Sequence, residues 1–417
     1  MIYRRKIIDK INNFLDSKEI IVLHGARQVG KTSIMNYLIE GLKKNKQNNV
    51  YYFDLEISRY LDLANAGHET FVNYLKSVGY QKKAKAYVFI DEIQYLDNPS
   101  QFLKLFHDNF SNQIKLIVSG SSSFEIKRKF KNSLVGRTIN FEIWPLDFEE
   151  FLLFKNKNYN LSINNMPLAA IEELKELYHE YASYGGYPQI VLTEEISKKE
   201  AYLNQIINTY VKKDIRDLVL IKNVVKFNKL IEVLAGQTGN LLNVAELANT
   251  VDIARQTVEQ FLFLLENTYI IKLIRPFHKN IRSELFKTPK IYLVDHGLAN
   301  LLVNKSFPRV LSGNIFETAV FSDLLKNYGA DKINFWRTTS KQEVDFIIKQ
   351  DNSFLPIEVK INPSLFKQRN MTNFFELYKL KSGWLVFLQG EITLKKQLDK
   401  KIKAIYPWQI IRQGNEK

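Results

Sequence analysis

Short, mostly apolar runs alternate along the chain with longer stretches in which apolar side chains recur every three or four positions, and this mixture predicts strands and helices in alternation. Ile7, Ile8, Ile11 and Phe14 are interleaved with Asp9, Lys10 and Asn12, which predicts an amphipathic helix over residues 1–15. Ile20–His24, Ala86–Ile90 and Ile114–Val118 have the length and composition of strands in a parallel sheet covered on both faces. From Phe148 to Leu234 the period is helical, with Ile171, Leu174, Leu177, Tyr178 and Tyr181 on one face, and it breaks at Ser183-Tyr-Gly-Gly-Tyr-Pro188. Asn243 can cap a helix over 244–249; a turn at 250–253 leads to a helix over 254–266 with Val258, Phe261, Leu262 and Leu265 inward. With strands at 270–275 and 290–294 this reads as a helix-turn-helix followed by a wing. Strands at 344–349 and 354–361 flank the polar turn Gln350-Asp-Asn-Ser353.

The 417 residues exceed one small core and fit two to four units at roughly 100–200 residues per domain. The expected division is a parallel-sheet core at 1–150, a helical subdomain at 151–235, a winged helix-turn-helix at 236–297 and an α/β domain at 298–417.

The first of these units carries chemistry. The strand 20–24 runs into Gly25, Ala26, Arg27, Gln28, Val29, Gly30, Lys31 and Thr32, and a helix follows from Ser33. Strand, GxxxxGKT and helix together form the context in which backbone N–H groups curl around phosphate oxygens at a helix N-terminus. Residues 25–33 are therefore expected to bind ATP, with Lys31 reaching the β- and γ-phosphates and Thr32 giving a hydroxyl to Mg²⁺. Sixty positions beyond Lys31, the run Ala86-Tyr-Val-Phe-Ile ends in Asp91 and Glu92. Asp91 is expected to be the Mg²⁺ partner on a strand neighbouring the P-loop strand. Glu92 is expected to take a proton from the attacking water, which separates a hydrolase from a passive binder. Ser119 or Ser121, after the third strand, is a candidate γ-phosphate sensor or simply a polar strand end. Arg137 is a candidate arginine finger, in cis or across a subunit interface of a homo-oligomer, or a surface salt bridge.

A second constellation lies near the C-terminus. A hairpin centred on 350–353 sets Asp345 opposite Glu358, and Glu358 and Lys360 project to one face of their strand. With Glu317 on the helix opening at Gly313, the segments Glu343-Val-Asp345 and Pro356-Ile-Glu358-Val-Lys360 resemble a PD-(D/E)xK nuclease core. That resemblance implies Glu317, Asp345 and Glu358 as metal ligands and Lys360 as the group that orients or activates water. The ExK triplet alone means little, because Glu125-Ile-Lys127 and Glu173-Leu-Lys175 also match. The alternative is a salt-bridge cluster in a domain that keeps the fold without the activity.

Charge alters the picture only in part. The formal charge is +15, and residues 298–417 hold 19 Lys/Arg against 11 Asp/Glu, which makes a polyanion such as DNA an expected partner. Residues 236–297 are nearly neutral, with 7 Lys/Arg and 6 Asp/Glu, and a wing loop carrying Arg275, His278, Lys279, Arg282 and Lys287 leaves DNA and a protein partner equally open. With no cysteine and no apolar run of membrane-spanning length, the expectation is a cytoplasmic protein without a membrane partner.

Leu23-His-Gly-Ala-Arg-Gln-Val-Gly-Lys-Thr32, Tyr87-Val-Phe-Ile-Asp-Glu-Ile-Gln94, Val118-Ser-Gly-Ser-Ser-Ser123 and Leu134-Val-Gly-Arg-Thr138 together resemble the AAA-type ATPases widespread in bacteria and archaea. Tyr184-Gly-Gly-Tyr-Pro188, the segment at Lys213, Leu234-Ala-Gly-Gln-Thr-Gly239 and Pro289-Lys-Ile-Tyr-Leu-Val-Asp-His-Gly-Leu298 extend the resemblance over nearly the whole chain. It implies an α/β protein: a P-loop AAA-type parallel sheet with a helical subdomain, then a winged helix and a nuclease-like domain. Two functions follow from it. One is an ATPase acting on DNA through a metal-dependent nuclease-like domain; the other is an ATP-dependent switch or scaffold that binds DNA or a protein with an inactive nuclease fold.

Overall fold

The computed structural model describes residues 3–47, 49–80, 84–120, 134–161, 163, 166–208, 224–277, 288–350, 353–390 and 401–410. Contacts divide the chain into two compact units, Met1–Pro145 with Asn267–Tyr269, and Leu146–Glu266 with Ile270–Lys417.

The first unit is built on five parallel strands: β1 (Ile20–Gly25), β2 (Val50–Asp54), β3 (Ala86–Asp91), β4 (Ile114–Gly120) and β5 (Thr138–Ile143), in the order β2-β3-β4-β1-β5. β1, β3 and β4 are buried at every position, the condition of strands with covered faces. β3 was expected to neighbour β1, but β4 lies between them. Apolar runs of equal length carry no record of which crossover places them where, so the pattern could not give this order. Phe53, Phe71, Phe102 and Phe106 fill the core beside β2 and β3, with Phe71 edge-on to both Phe53 and Phe102. The helix Pro99–Phe110 starts cleanly because Asn98 caps it and proline occupies its first position. The N-terminal helix is shorter than expected, Ile7–Asn12.

The second unit opens with the helix Phe148–Phe154, whose Asp147 and Glu150 form a capping box. The helix Leu168–Tyr184 buries Leu174, Leu177, Tyr178 and Tyr181, and it ends where Gly185 adopts φ +88°. The glycines of the Tyr-Gly-Gly-Tyr-Pro and Asp-His-Gly segments answer each other. A Cβ at Gly185 would stand 2.3 Å from Asp295 Oδ1, and one at Gly297 would stand 2.1 Å from the Tyr184 carbonyl oxygen. Two of the segments that carried the family resemblance are thus a close backbone crossing, in which Asp295 accepts from the N–H groups of Gly186 and Leu298.

Helices Val244–Val251 and Arg255–Asn267 follow, the first capped by the Asn243 side chain, and then β6 (Ile271–Ile274) pairs antiparallel with β7 (Lys290–Leu293). Of the basic loop expected between these strands, His278, Lys279, Arg282 and Lys287 lie outside the described residues, as does the segment at Lys213.

The last sheet has the order β12-β11-β10-β9-β8, from β8 (Ile333–Arg337), β9 (Glu343–Gln350), β10 (Ser353–Val359), β11 (Gly383–Val386) and β12 (Ile402–Ile405). β8, β9 and β10 are antiparallel; β11 runs parallel to β10, and β12 runs parallel to β11. The helices Gly313–Tyr328 and Gln368–Tyr378 pack with this sheet: Phe321 stacks near Phe346, and Phe374 meets Trp336 edge-on at 5.2 Å.

Candidate functional site

The glycine-rich turn between β1 and the helix Lys31–Lys44 needs two unusual backbone positions, Gln28 at φ +62° and Gly30 at φ +95°. Gly25 is required for another reason: a Cβ there would stand 2.1 Å from the Ile143 carbonyl oxygen on β5. The N-terminal N–H groups of the helix have no intrahelical acceptor, so the turn presents donors to an anion. The Lys31 ammonium lies within this turn, bonded to the carbonyls of Gly25 at 3.1 Å and Ala26 at 2.8 Å. Burial brings its pKa down to about 8, against the pull of Glu92 and Asp91.

Asp91 ends β3 with both carboxylate oxygens engaged. Oδ2 accepts from Thr32 Oγ1 at 2.6 Å and from the Tyr52 hydroxyl at 3.0 Å. Oδ1 accepts from Ser119 Oγ and, at 3.2 Å, from the Glu92 N–H. Ser119 reaches Asp91 because β4 lies beside β3. Oxygen donors from Thr32 and Asp91 side by side are the hard ligand set Mg²⁺ prefers. Glu92 takes a left-handed conformation, φ +56°, and its carboxylate accepts a short hydrogen bond from Gln94 Nε2.

In the second unit the β9–β10 register pairs Phe346 with Ile357, which sets Asp345 opposite Glu358 as the hairpin reading expected. The two are tied across the strands: the Asp345 N–H donates to Glu358 Oε2 at 3.4 Å, and the Val359 N–H donates to Asp345 Oδ2 at 2.8 Å. Lys360 Nζ sits between the acids, 3.0 Å from Asp345 Oδ2 and 2.9 Å from Glu358 Oε1. Glu317 accepts from the Tyr292 hydroxyl at 2.6 Å. Burial and the charge of Asp345 push Glu317 up to about 7 and Glu358 up to about 8. Burial alone would lower Lys360, but Asp345 and Glu358 hold it well above the usual lysine range. The donor chemistry of these acids suits Mg²⁺. Among the described residues, however, no group of three or more His, Cys, Asp or Glu side chains is placed to hold a metal ion, and Lys360 draws two of the acids to itself.

Residues 17–152 match an AAA domain family, and 175–309 and 312–409 match two domains of unknown function, DUF8612 and DUF4143. Residues 17–152 are thus similar to an AAA domain, and the five-stranded parallel sheet with its P-loop lies in that stretch. An uncharacterized protein of Haemophilus influenzae is 26% identical over 415 residues, covering 97% of both chains. A second, MJ1544 of Methanocaldococcus jannaschii, is 27% identical over 84% of this chain and 77% of its own. Among solved structures, Cdc6p from Pyrobaculum aerophilum aligns with a TM-score of 0.32 at 12% identity, over 70% of this chain and 91% of that one. The replication initiator DnaA bound to AMPPCP and single-stranded DNA aligns with a TM-score of 0.31 at 16% identity, over 63% of this chain and 86% of that one.

Within the first unit, Lys31, Thr32, Asp91, Glu92 and Ser119 converge on one edge of the sheet, whereas Ser121 lies outside the described residues. Arg137 is corrected in part. Its carbonyl accepts from the Ile20 N–H at the start of β1, so it stands at the edge of the sheet opposite the P-loop. No arginine finger in cis can come from there. Its guanidinium makes two contacts with Asp108, at 2.7 and 3.1 Å. Sequence reasoning missed Tyr52, Gln94, Tyr292 and Lys290. Gln94 stood two positions beyond Glu92 and could have been suspected from that spacing, while the others come from strands whose neighbours pattern does not reveal. Among the described residues no helix is long and apolar enough to cross a membrane.

Proposed function

We propose that the chain binds ATP with Mg²⁺ through Gly25–Ser33, Thr32 and Asp91 and hydrolyses it with Glu92 as base. The observation that carries this is Asp91, bonded to the Thr32 hydroxyl at 2.6 Å on one oxygen and to Ser119 on the other, with Glu92 beside it. Lys31 would leave its two carbonyls for the β- and γ-phosphates, and Ser119 would keep the Asp91 carboxylate turned towards Thr32. Magnesium bound there would supply charge neutralisation on the phosphates. Glu92, held by Gln94, would take the proton of the attacking water.

The second part of the proposal is that residues 298–417 form a PD-(D/E)xK nuclease-like domain acting on DNA, beside a winged helix at 236–297. Support comes from the succession of a helix, three antiparallel strands, a helix and a strand parallel to the third, with Asp345, Glu358 and Lys360 at the central hairpin. In that role Asp345 and Glu358 with Glu317 would hold a divalent cation, and Lys360 would orient water. One observation favours the second reading, a nucleotide switch with a silent nuclease fold: the acids are already neutralised by lysine. The two part company on labelled single-stranded, duplex and branched DNA with Mg²⁺ or Mn²⁺, with and without ATP. Cleavage lost in Asp345→Ala and altered in Lys31→Ala is the expected result. No cleavage, with ATP hydrolysis still abolished by Lys31→Ala, would leave the switch.

A further inference from the structure

Arg4, Arg5 and Lys6 are three consecutive cations ahead of the helix Ile7–Asn12, and the fold treats the two arginines differently. Arg4 is exposed and pairs with Asp9. Arg5 is only 6% exposed. The helix that follows buries Ile8 and Ile11, and Phe14 beyond it meets Phe141 of β5 edge-on at 5.9 Å, which fixes the segment against that strand. From there the Arg5 guanidinium reaches two backbone carbonyls. Nη1 donates to Val29 at 2.9 Å, and Nη2 donates to Trp144 at 2.9 Å.

Val29 lies inside the glycine-rich turn, between Gln28 at φ +62° and Gly30 at φ +95°. Because the peptide bond is planar and trans, the Val29 carbonyl and the Gly30 N–H point in opposite directions, so a bond that fixes one fixes the other. Trp144 directly follows β5, whose Ile143 carbonyl lies against Gly25 at the start of the same turn. One stretch of backbone, 143–144, therefore holds the turn twice: directly at Gly25 and through Arg5 at Val29. A guanidinium suits this task, because it presents its donors as a rigid fork and keeps its charge when buried. A permanent positive charge against the turn also favours an anion within it.

We propose that Arg5 is a positioning residue for the nucleotide site: it braces the phosphate-binding turn against the end of β5 and presets the Gly30 N–H for phosphate, without touching the nucleotide itself. This rests on the ATP-binding reading proposed above. A turn braced before the ligand arrives costs less to order on binding. Loss of the brace should therefore weaken binding more than it slows hydrolysis, since bound phosphate then orders the turn in its place.

The test is calorimetric binding of AMPPCP with Mg²⁺ to the full chain, beside steady-state ATP hydrolysis and thermal unfolding of the nucleotide-free protein. Arg5→Met should raise the Kd for AMPPCP by roughly tenfold or more, the weight of a hydrogen bond from a charged group. Its kcat at saturating ATP should stay within about twofold of the wild type. Arg5→Lys, which keeps the charge but not the fork, should fall between the two, and Arg4→Met should bind as the wild type does. A folded Arg5→Met that binds as the wild type does, or that loses kcat at an unchanged Kd, would overturn the proposal. Arg5→Lys binding as tightly as the wild type would assign the effect to charge and overturn the brace. Should Arg5→Met not fold, Arg5→Lys decides on the same criterion. AMPPCP binding that survives unchanged in Lys31→Ala would instead overturn the nucleotide site, and Arg5's role with it.

Discussion

Asp91 takes four hydrogen bonds on two oxygens, and each donor comes from a different part of the domain: Thr32 from the P-loop helix, Tyr52 from β2, Ser119 from β4 and the backbone of Glu92. Such an arrangement fixes the carboxylate before any ligand arrives, and a residue that only orients a ligand group typically costs roughly 10–100-fold in activity or metal affinity when removed. Ser119→Ala should therefore lower kcat for ATP hydrolysis by about that factor with little change in the KM for ATP. Steady-state kinetics at saturating Mg²⁺ decide it; a raised KM with unchanged kcat would mean that Ser119 serves binding instead. Thr32, Asp91 and Glu92 were legible in the sequence because motif spacing encodes them. Tyr52 was not, because it reaches Asp91 through β2–β3 pairing, and pairing is a tertiary fact.

At the scale of elements, the helix Gly313–Tyr328 is the most informative, because its buried face is not wholly apolar. Asp323 accepts from the hydroxyls of Tyr178 and Tyr181, each at 2.9 Å, and from the Phe148 N–H at 3.3 Å, tying three helices together. His296, fully buried nearby, bonds the Ala182 carbonyl at 3.1 Å through Nδ1. Periodicity gave the apolar stripe of the helix Leu168–Tyr184, but it could not show that two of its tyrosines are there for a buried carboxylate. Burial lowers His296 from 6.5 to about 3, helped by Lys326, and burial raises Asp323 from 3.8 to about 6. The signs oppose. Stability from a neutral His296 is present above pH 6.5 and is lost as pH falls towards 3, to the extent of about 2 kcal/mol at pH 5. Asp323 weighs against folding at neutral pH and is relieved as pH falls through 6, which returns about 1 kcal/mol at pH 5. Asp323→Asn should thus lose urea stability more steeply than the wild type between pH 7.5 and 5, and His296→Gln less steeply. Parallel slopes in all three proteins would contradict the assignment.

For the whole molecule, two compact units make a single unfolding free energy ill-defined, and a ligand of one unit should register there first. The proposed nucleotide site lies wholly within Met1–Pro145, where β1, β3 and β4 form the buried centre of the sheet. ATP with Mg²⁺ at a hundred times its Kd should stabilise whatever unfolds with that site by about 2.7 kcal/mol. Amide exchange resolved by peptide can read this: protection of β1, β3 and β4 should rise by about a hundredfold, and Lys31→Ala should abolish the rise. If β9 and β10 gain the same protection, the two units open as one, and nucleotide occupancy would be felt at Asp345 and Glu358 through stability alone. If β9 and β10 gain none, any influence of ATP on the second site must pass through a change of conformation in the folded protein. No gain in β1, β3 and β4, under conditions where ATP binds, would overturn the placement of the nucleotide on this sheet.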